Sequence, residues 1–417
     1  MPISQMPRRL LLLAASLALL AGCATAPRPA ATTAGACPAC PVCPAPGAAP
    51  VCPPAGAQLP PPPAAKPLQP ARWEDLPGWG EDDLGAAWPA FLQSCKGLVG
   101  KKEWPLWRPA CDEAQTLSNK PDNGSLRRFF ESRFQPYLLT NPEGTVEGMI
   151  TGYYEPLLKG SRKPTGPDRY AVLGVPDDLL TIDLSELYPD LKNYRLRGRL
   201  LGNKVVPYWS RAELMAREDS LKARTLLWVD DPIELFFLQI QGSGRVRLPD
   251  GSIVRLGYAD QNGHPYQSIG RVLIERGELK PEQASMQGIQ AWARANPAKV
   301  NDLLNANPSY VFFRELDLPA SEGPIGALGV PLTPERSIAI DPRSTPLGAP
   351  VFLAASHPNS SKPLRRLVLA QDTGGAIKGV VRADYFWGYG AEAGALAGRM
   401  KQTGQMWVLL PPGLGPR

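Results

Sequence analysis

Apolar and polar positions divide the chain into stretches of different period. Residues 81–140 repeat apolar side chains at helical spacing in Ala86–Gly97, Asp112–Thr116 and Leu126–Phe134. Helices are expected there, with Ser125 as the N-cap of the last. From Val146 the period shortens, and Met149–Glu155 reads as a strand running into a break at Pro156. Residues 170–260 hold short β-type runs punctuated by Gly, Pro and Asp: Leu226–Val229, Leu235–Ile240, Gly244–Leu248 and Ile253–Tyr258. Pro249-Asp250-Gly251-Ser252 is a strong hairpin turn between the last two. Helical spacing returns over 266–278, 282–294 and 298–305, with a stop near Asn296-Pro297. From Glu335 to Leu410 the chain is strand-rich again, broken by a short helix over Ala391–Met400.

The N-terminal region lies outside this scheme. Arg8 and Arg9 precede an apolar run from Leu10 to Leu20, followed by Ala21-Gly22-Cys23. A basic start, a short apolar core and small residues at the end form a secretory signal, too short to span a membrane as a mature helix. The Leu-Ala-Gly-Cys ending resembles that of bacterial lipoproteins. That likeness implies lipidation of Cys23 and, with Ala24 rather than Asp next, the periplasmic face of the outer membrane. More than one acyl chain holds such an anchor, since a single chain binds only marginally. Residues 24–71 are a Pro/Ala/Gly tether that cannot bury enough apolar surface to order itself. Its Cys37, Cys40, Cys43 and Cys52 are each followed by proline, with no histidine nearby, which suits disulfides or free thiols better than a metal cluster. In the body only Cys95 and Cys111 remain; a bond between them closes a loop contributing about 3 kcal/mol.

Charge and histidine content narrow the chemistry. A net charge of +6 suits an acidic polymer, and there is no Lys/Arg block of the kind that tracks nucleic-acid phosphates. Only His264 and His357 occur, which leaves little material for a zinc protease or a His-based triad. His264 sits in a polar turn and reads as a loop hydrogen-bonder. Acid–base work near neutral pH therefore falls to carboxylates.

Three aspartates stand out. The apolar run Leu367–Ala370 reads as a buried strand leading to Asp372, which caps a turn that Gly374 and Gly375 make possible. Asp384 opens the next strand-like segment, directly before Tyr385, Phe386 and Trp387. Two readings fit: a hairpin ending in a solvated aspartate, or a carboxyl whose pKa aromatic neighbours raise. Strand alternation puts Asp384 and Phe386 on one face and Tyr385 on the other. Asp341 precedes Pro342 at a further strand end, where a turn cap is the simple reading. Gln241-Gly242-Ser243-Gly244 offers amides and a hydroxyl beside glycines that admit a bulky ligand; a tight turn explains it equally well.

Taken together, Asp341, Asp372 and Asp384 resemble the three-aspartate signature of secreted cell-wall proteins. Thr151-Gly152-Tyr153-Tyr154-Glu155-Pro156, Gln241-Gly242-Ser243-Gly244, Gly263–Gly270, Met286-Gln287 and Asp372–Gly379 resemble the membrane-bound lytic murein transglycosylase A family, over about residues 74–413. The resemblance implies an α+β, mainly β fold: a double-psi β-barrel from 74–155 and 317–413, a smaller inserted β-barrel at 156–316, and a groove between them. It implies cleavage of the β-1,4 bond between N-acetylmuramic acid and N-acetylglucosamine without water, giving 1,6-anhydro ends, with no cofactor and no metal. Asp384 is then the expected acid and base, with Asp372 second. The glycan strand is expected on Thr151, Tyr153, Tyr154, Glu155 and Gln241, and on Gly242, Ser243, Asp341 and Lys378. A hydrolase of the same barrel type with Asp372 as base, and a non-catalytic peptidoglycan-binding lipoprotein, are the other readings.

Overall fold

The computed structural model describes residues 66–416 apart from 118–119, 218–219 and 359. The expected signal, Cys23 and the tether cysteines lie outside the described residues. Strand β1 (Leu68–Pro70) leads to helices α1 (Leu84–Leu98), α2 (Trp104–Thr116) and α3 (Asn123–Arg133), then to β2 (Gln135–Leu139) and β3 (Gly148–Glu155). Next come β4 (Leu157–Ser161), β5 (Tyr170–Leu173), β6 (Leu180–Thr181), β7 (Arg197–Leu201), β8 (Lys204–Pro207), α4 (Arg211–Met215) and β9 (Thr225–Val229). They are followed by α5 (Pro232–Gln241), β10 (Ser243–Arg247), β11 (Ile253–Gln261), α6 (Ile269–Glu275), α7 (Met286–Ala295), α8 (Val300–Asn305) and β12 (Val311–Leu316). The last stretch holds β13 (Ser337–Ile340), β14 (Pro350–Ser356), β15 (Pro363–Thr373), β16 (Arg382–Tyr389), α9 (Gly390–Ala397) and β17 (Lys401–Leu410).

The strands β17-β14-β15-β13-β16-β3 form a ring. β3 runs parallel to β16 on one edge and antiparallel to β17 on the other, so the sheet closes into a barrel. Closure removes the unpaired edges an open sheet would carry. Alternation sorts the strand residues. Ile338, Ile340, Ala383, Tyr385 and Ile150 face the barrel core, while Ala339, Phe386 and Tyr153 share a separate cluster on the other face. Helices α1–α3 cover one side of the barrel with an aromatic cluster that includes Trp88, Phe91, Phe129 and Phe130. The Cys95–Cys111 disulfide ties α1 to α2, as the cysteine placement suggests.

Between β3 and β13 lies a second body. Its six-stranded sheet, β12-β11-β10-β4-β9-β5, curls until the end strands β5 and β12 approach each other. Leu158, Val172, Val246 and Leu256 form its core, and helices α5–α8 hold another core around Phe236, Leu273 and Leu303. β6, β7 and β8 make a small separate sheet. No helix of the described residues is long and apolar enough to cross a membrane.

Three local expectations change. Leu235–Ile240 is not a strand but the body of α5. Asp231 caps it, accepting from the backbone N–H groups of Ile233 and Glu234; Pro232 follows at the first turn, and Gly242 ends it at φ 76°. These end signals outweigh the β-like apolar run. Asp122, not Ser125, caps α3; its carboxylate accepts from the Ser125 N–H. In the Asp372–Asp384 connection the left-handed residue is Gly379 (φ 119°) rather than Gly374 or Gly375.

Candidate active site

Register brings the site together. Asp384 on β16 pairs with Ala339 on β13, and Ala339 pairs on its other side with Asp372 on β15. Across the opposite edge of β16, Asp384 pairs with Thr151 on β3. Thr151, Asp384, Ala339 and Asp372 thus form one row across four strands on the outer face of the barrel. With strands about 4.8 Å apart, the two aspartate backbones stand about 10 Å apart, with only a methyl side chain between them. Asp372 joins this row because β15 carries a register shift between the partners of Ile338 and Ala339. The extra residue is Gln371, fully buried and bonded to Ala90 O (2.8 Å), Ser94 Oγ (3.0 Å) and Ser337 Oγ (2.5 Å). A bulge of this kind re-aims the following side chain, and here α1 anchors it.

The two carboxyl groups have different surroundings. Asp384 is half-buried, and Thr151 Oγ1 donates to its Oδ1 at 2.5 Å. Burial raises its pKa to about 6, against the pull of the Thr151 hydroxyl and of Arg382; the nearby Asp372 charge pushes it further up. A carboxyl held there exists in both protonation states near neutral pH. Asp372 accepts from Tyr153 Oη (3.0 Å), the Ala327 N–H (2.9 Å) and its neighbour Thr373 N–H (2.9 Å). Burial raises its pKa too, opposed by those three donors and by Arg195 from the second body. Tyr153, buried and beside both aspartates, is pushed well above the ordinary phenol range, so it stays a donor. Tyr153 packs on Phe386 with ring centroids 5.2 Å apart, one step along the same face.

The remaining predicted residues fall into distinct places. Asp341 directly follows the end of β13 and is not paired in the row. It is ion-paired to Arg343 (Oδ2–Nη2, 2.6 Å) and accepts from the Gly379 N–H (3.0 Å). Arg343 holds it far below the usual carboxylate range, so it stays ionised and pins the β15–β16 loop. Glu155 does not face the cleft either. It is buried against Arg245 (2.8 Å) and Arg255 (3.2 Å), joining the end of β3 to β10 and β11. Gln241 Oε1 accepts from the Tyr154 N–H (3.1 Å) and so docks the end of α5 on β3. Gly242 is the C-cap of α5, Ser243 begins β10 and is buried, and Lys378 is exposed on the β15–β16 loop. Tyr154 faces the opposite side of β3 from Asp384, with its hydroxyl on Met286 Sδ at 3.4 Å. His264 hydrogen-bonds Tyr208 O through Nε2 (2.7 Å), a loop role.

Sequence reading passed over Arg382, Arg195 and the Ala327 backbone. Arg382 had a signal, since it lies two residues before Asp384 on the same strand face. Arg195 and Ala327 had none, because they reach Asp372 from distant segments. Among the described residues, no group of three or more His, Cys, Asp and Glu side chains is arranged to hold a metal ion.

A closed six-stranded barrel bearing an aspartate row, with a long β/α body spliced between its first and second strands, defines a barrel enzyme of the three-aspartate class. Residues 336–410 match the 3D domain, and residues 149–314 match the MltA specific insert domain. The membrane-bound lytic murein transglycosylase A of Escherichia coli K12 is 37% identical over 275 residues, 64% of this chain and 67% of that protein. The crystal structure of MltA from Neisseria gonorrhoeae (monoclinic form) matches with a TM-score of 0.73 and 41% identity, covering 84% of this chain and 94% of that one. E. coli MltA with bound chitohexaose matches at a TM-score of 0.63 and 26% identity, over 85% and 98% of the two chains. The chain belongs to the membrane-bound lytic murein transglycosylase A family, whose named members act on peptidoglycan.

Proposed function

We propose that this chain cleaves peptidoglycan glycan strands without water, with Asp384 as the single proton carrier. The carrying observation is one half-buried carboxyl poised near pKa 6 beside a second one saturated with donors. Protonated Asp384 gives its proton to the oxygen linking N-acetylmuramic acid to N-acetylglucosamine as the C1–O bond breaks. The C6 hydroxyl of the same muramic acid attacks C1, and the Asp384 carboxylate takes the proton that hydroxyl loses. The product is a 1,6-anhydro ring, and the acid is regenerated. An intramolecular nucleophile replaces water through effective concentration, which lowers the barrier by about 7–11 kcal/mol when well oriented. Asp372, already accepting three hydrogen bonds, supplies fixed negative charge for the oxocarbenium-like centre rather than a second proton carrier. Tyr153 and the Gln241–Ser243 segment border the glycan path.

Residues 74–155 with 317–413, and 156–316, are the two domains of this reading. Relatives carry the name membrane-bound; we assign the attachment here to lipid on Cys23, at the periplasmic face of the outer membrane. Digestion of sacculi in heavy-oxygen water tests the reaction. Unlabelled anhydro ends are expected; reducing ends carrying one heavy oxygen mean hydrolysis, with Asp372 as base. Asp384→Asn is expected to remove product and keep sacculus binding, and turnover in that variant overturns the assignment.

A further inference from the structure

Strand β15 carries one residue more than its partner β13 just before Asp372. Ile338 pairs with Ala370 and Ala339 with Asp372, which leaves Gln371 unpaired on that side. In a regular strand Asp372 points the same way as Ala370, two residues earlier. Ala370 belongs to the barrel core. The extra residue is therefore what turns Asp372 outward. A slip of β15 by one place sets Gln371 beside Ala339 and sends the aspartate into the core.

The side chain at the bulge is polar where its neighbours are not. Leu367, Val368, Leu369 and Ala370 are buried and apolar, and Gln371 is buried as fully as they are. Its amide is saturated. Both N–H groups donate to α1, one to Ala90 O (2.8 Å) and one to Ser94 Oγ (3.0 Å), while Oε1 accepts from Ser337 Oγ on β13 (2.5 Å). Turning the amide over sets its oxygen against the Ala90 carbonyl, so one orientation alone serves. Ser337 Oγ in turn accepts from the Thr333 N–H (2.8 Å), and Gln371 O accepts from the Leu328 N–H (3.0 Å). Gly326 lies so close that a Cβ there would stand 2.6 Å from Gln371 O. The same segment, 326–333, supplies the Ala327 N–H that donates to Asp372. One glutamine thus ties down both the strand that carries Asp372 and the loop that hydrogen-bonds it.

We infer that Gln371 is a positioning residue for the reaction: its amide, locked to α1 and β13, keeps Asp372 in the row with Asp384. The inference rests on the reading of the two aspartates as the chemical centre and adds what fixes their spacing. Gln371 is fully buried and touches no substrate, so it acts only through its neighbour. A buried network with every member satisfied specifies one arrangement, where an apolar contact tolerates several. The arrangement at stake is a flip of one carboxyl from the cleft face of the sheet to the core face.

Gln371→Met keeps the length of the side chain and removes the amide. In the full chain, assayed by release of soluble muropeptides from sacculi, kcat is expected to fall about a hundredfold while KM holds. The fall in rate on the alkaline side is expected to shift toward lower pH. Asp384 keeps the Thr151 hydroxyl and Arg382, which favour its carboxylate, and loses the nearby Asp372 charge, which disfavours it. Tyr153 and Arg195 are the other ionisable groups acting on the pair, and the substitution alters neither. Ser94→Ala and Ser337→Ala each delete one partner of the amide, and smaller losses of the same kind are expected. Phe129→Leu, in the helical aromatic cluster, lowers stability and is expected to keep both the rate and the alkaline limb. A wild-type rate in Gln371→Met or in both serine variants, an equal loss in Phe129→Leu, or an unmoved alkaline limb overturns the inference. The end groups of the wild-type product report the reaction itself, so hydrolytic ends refute that reading and leave the Gln371 result standing.

Discussion

Replacing Thr151 with valine tests the electrostatic reasoning about Asp384 directly. The change keeps the β-branched shape that β3 accommodates and deletes the hydroxyl that donates to Asp384 Oδ1 at 2.5 Å. That donor favours the ionised carboxylate and is the largest influence opposing burial. A hydrogen bond to a charged group contributes about 1.5–3 kcal/mol, and one pKa unit corresponds to about 1.4 kcal/mol. Its loss should lift the Asp384 pKa by about 1 to 2 units, from about 6 to between about 7 and 8. In the proposed mechanism the working form is the protonated acid, so the rate holds below this pKa and falls as pH rises through it. Release of soluble muropeptides from sacculi, followed from pH 4 to 9, should therefore show the alkaline limb of Thr151→Val displaced upward, with Thr151→Ser restoring the wild-type limb. A limb that stays in place, or moves toward acid, refutes both the direction of the hydrogen bond and the role of Asp384 as acid.

Stability carries the same signature. Asp384 binds its proton more tightly folded than unfolded, so its contribution to stability is intact below about pH 4 and is lost as pH rises through about 6. Asp384→Asn should gain about 3 kcal/mol over wild type in urea unfolding at pH 8, and the gap should close at pH 3.5. Glu155→Gln leaves Arg245 and Arg255 buried without their shared counter-charge; a loss of about 3–5 kcal/mol in urea unfolding is expected, and a neutral result would mean the cluster relaxes into water. Replacing Cys95 and Cys111 together with serine opens a link across 16 residues and should cost about 3 kcal/mol, read as a lowered Tm.

Much of the architecture is legible in local pattern. The apolar periods mark α1, α3, β3, β15 and the β10–β11 hairpin because burial of one face repeats at intervals the backbone geometry dictates. The scarcity of histidine and the aspartates beside apolar runs direct attention to carboxylates before any fold is known. The ends of α5 are likewise marked in the chain by Asp231-Pro232 and Gly242, since helix ends are short-range chemistry.

What local pattern leaves open is which aspartate does what. Asp341, Asp372 and Asp384 look alike in sequence, each near a strand end. Their separation comes from partners brought across space. Thr151 lies 233 residues from Asp384, Tyr153 lies 219 from Asp372, and Ala327 lies 45 from Asp372. The bulge at Gln371 sets Asp372 in the row, and it is held by Ala90 and Ser94 from a helix far earlier in the chain. Likewise Glu155, beside two tyrosines in the chain, meets Arg245 and Arg255 only because β10 and β11 are folded against the end of β3. Sequence alone thus determined most of the elements and, through family resemblance, the barrel-and-insert plan, and it raised the expectation that a carboxyl carries the chemistry. Only the tertiary structure separates the surroundings of the three carboxyls, because a carboxyl's proton affinity depends on solvation and on charges and donors within a few ångströms, and chain order does not record those distances.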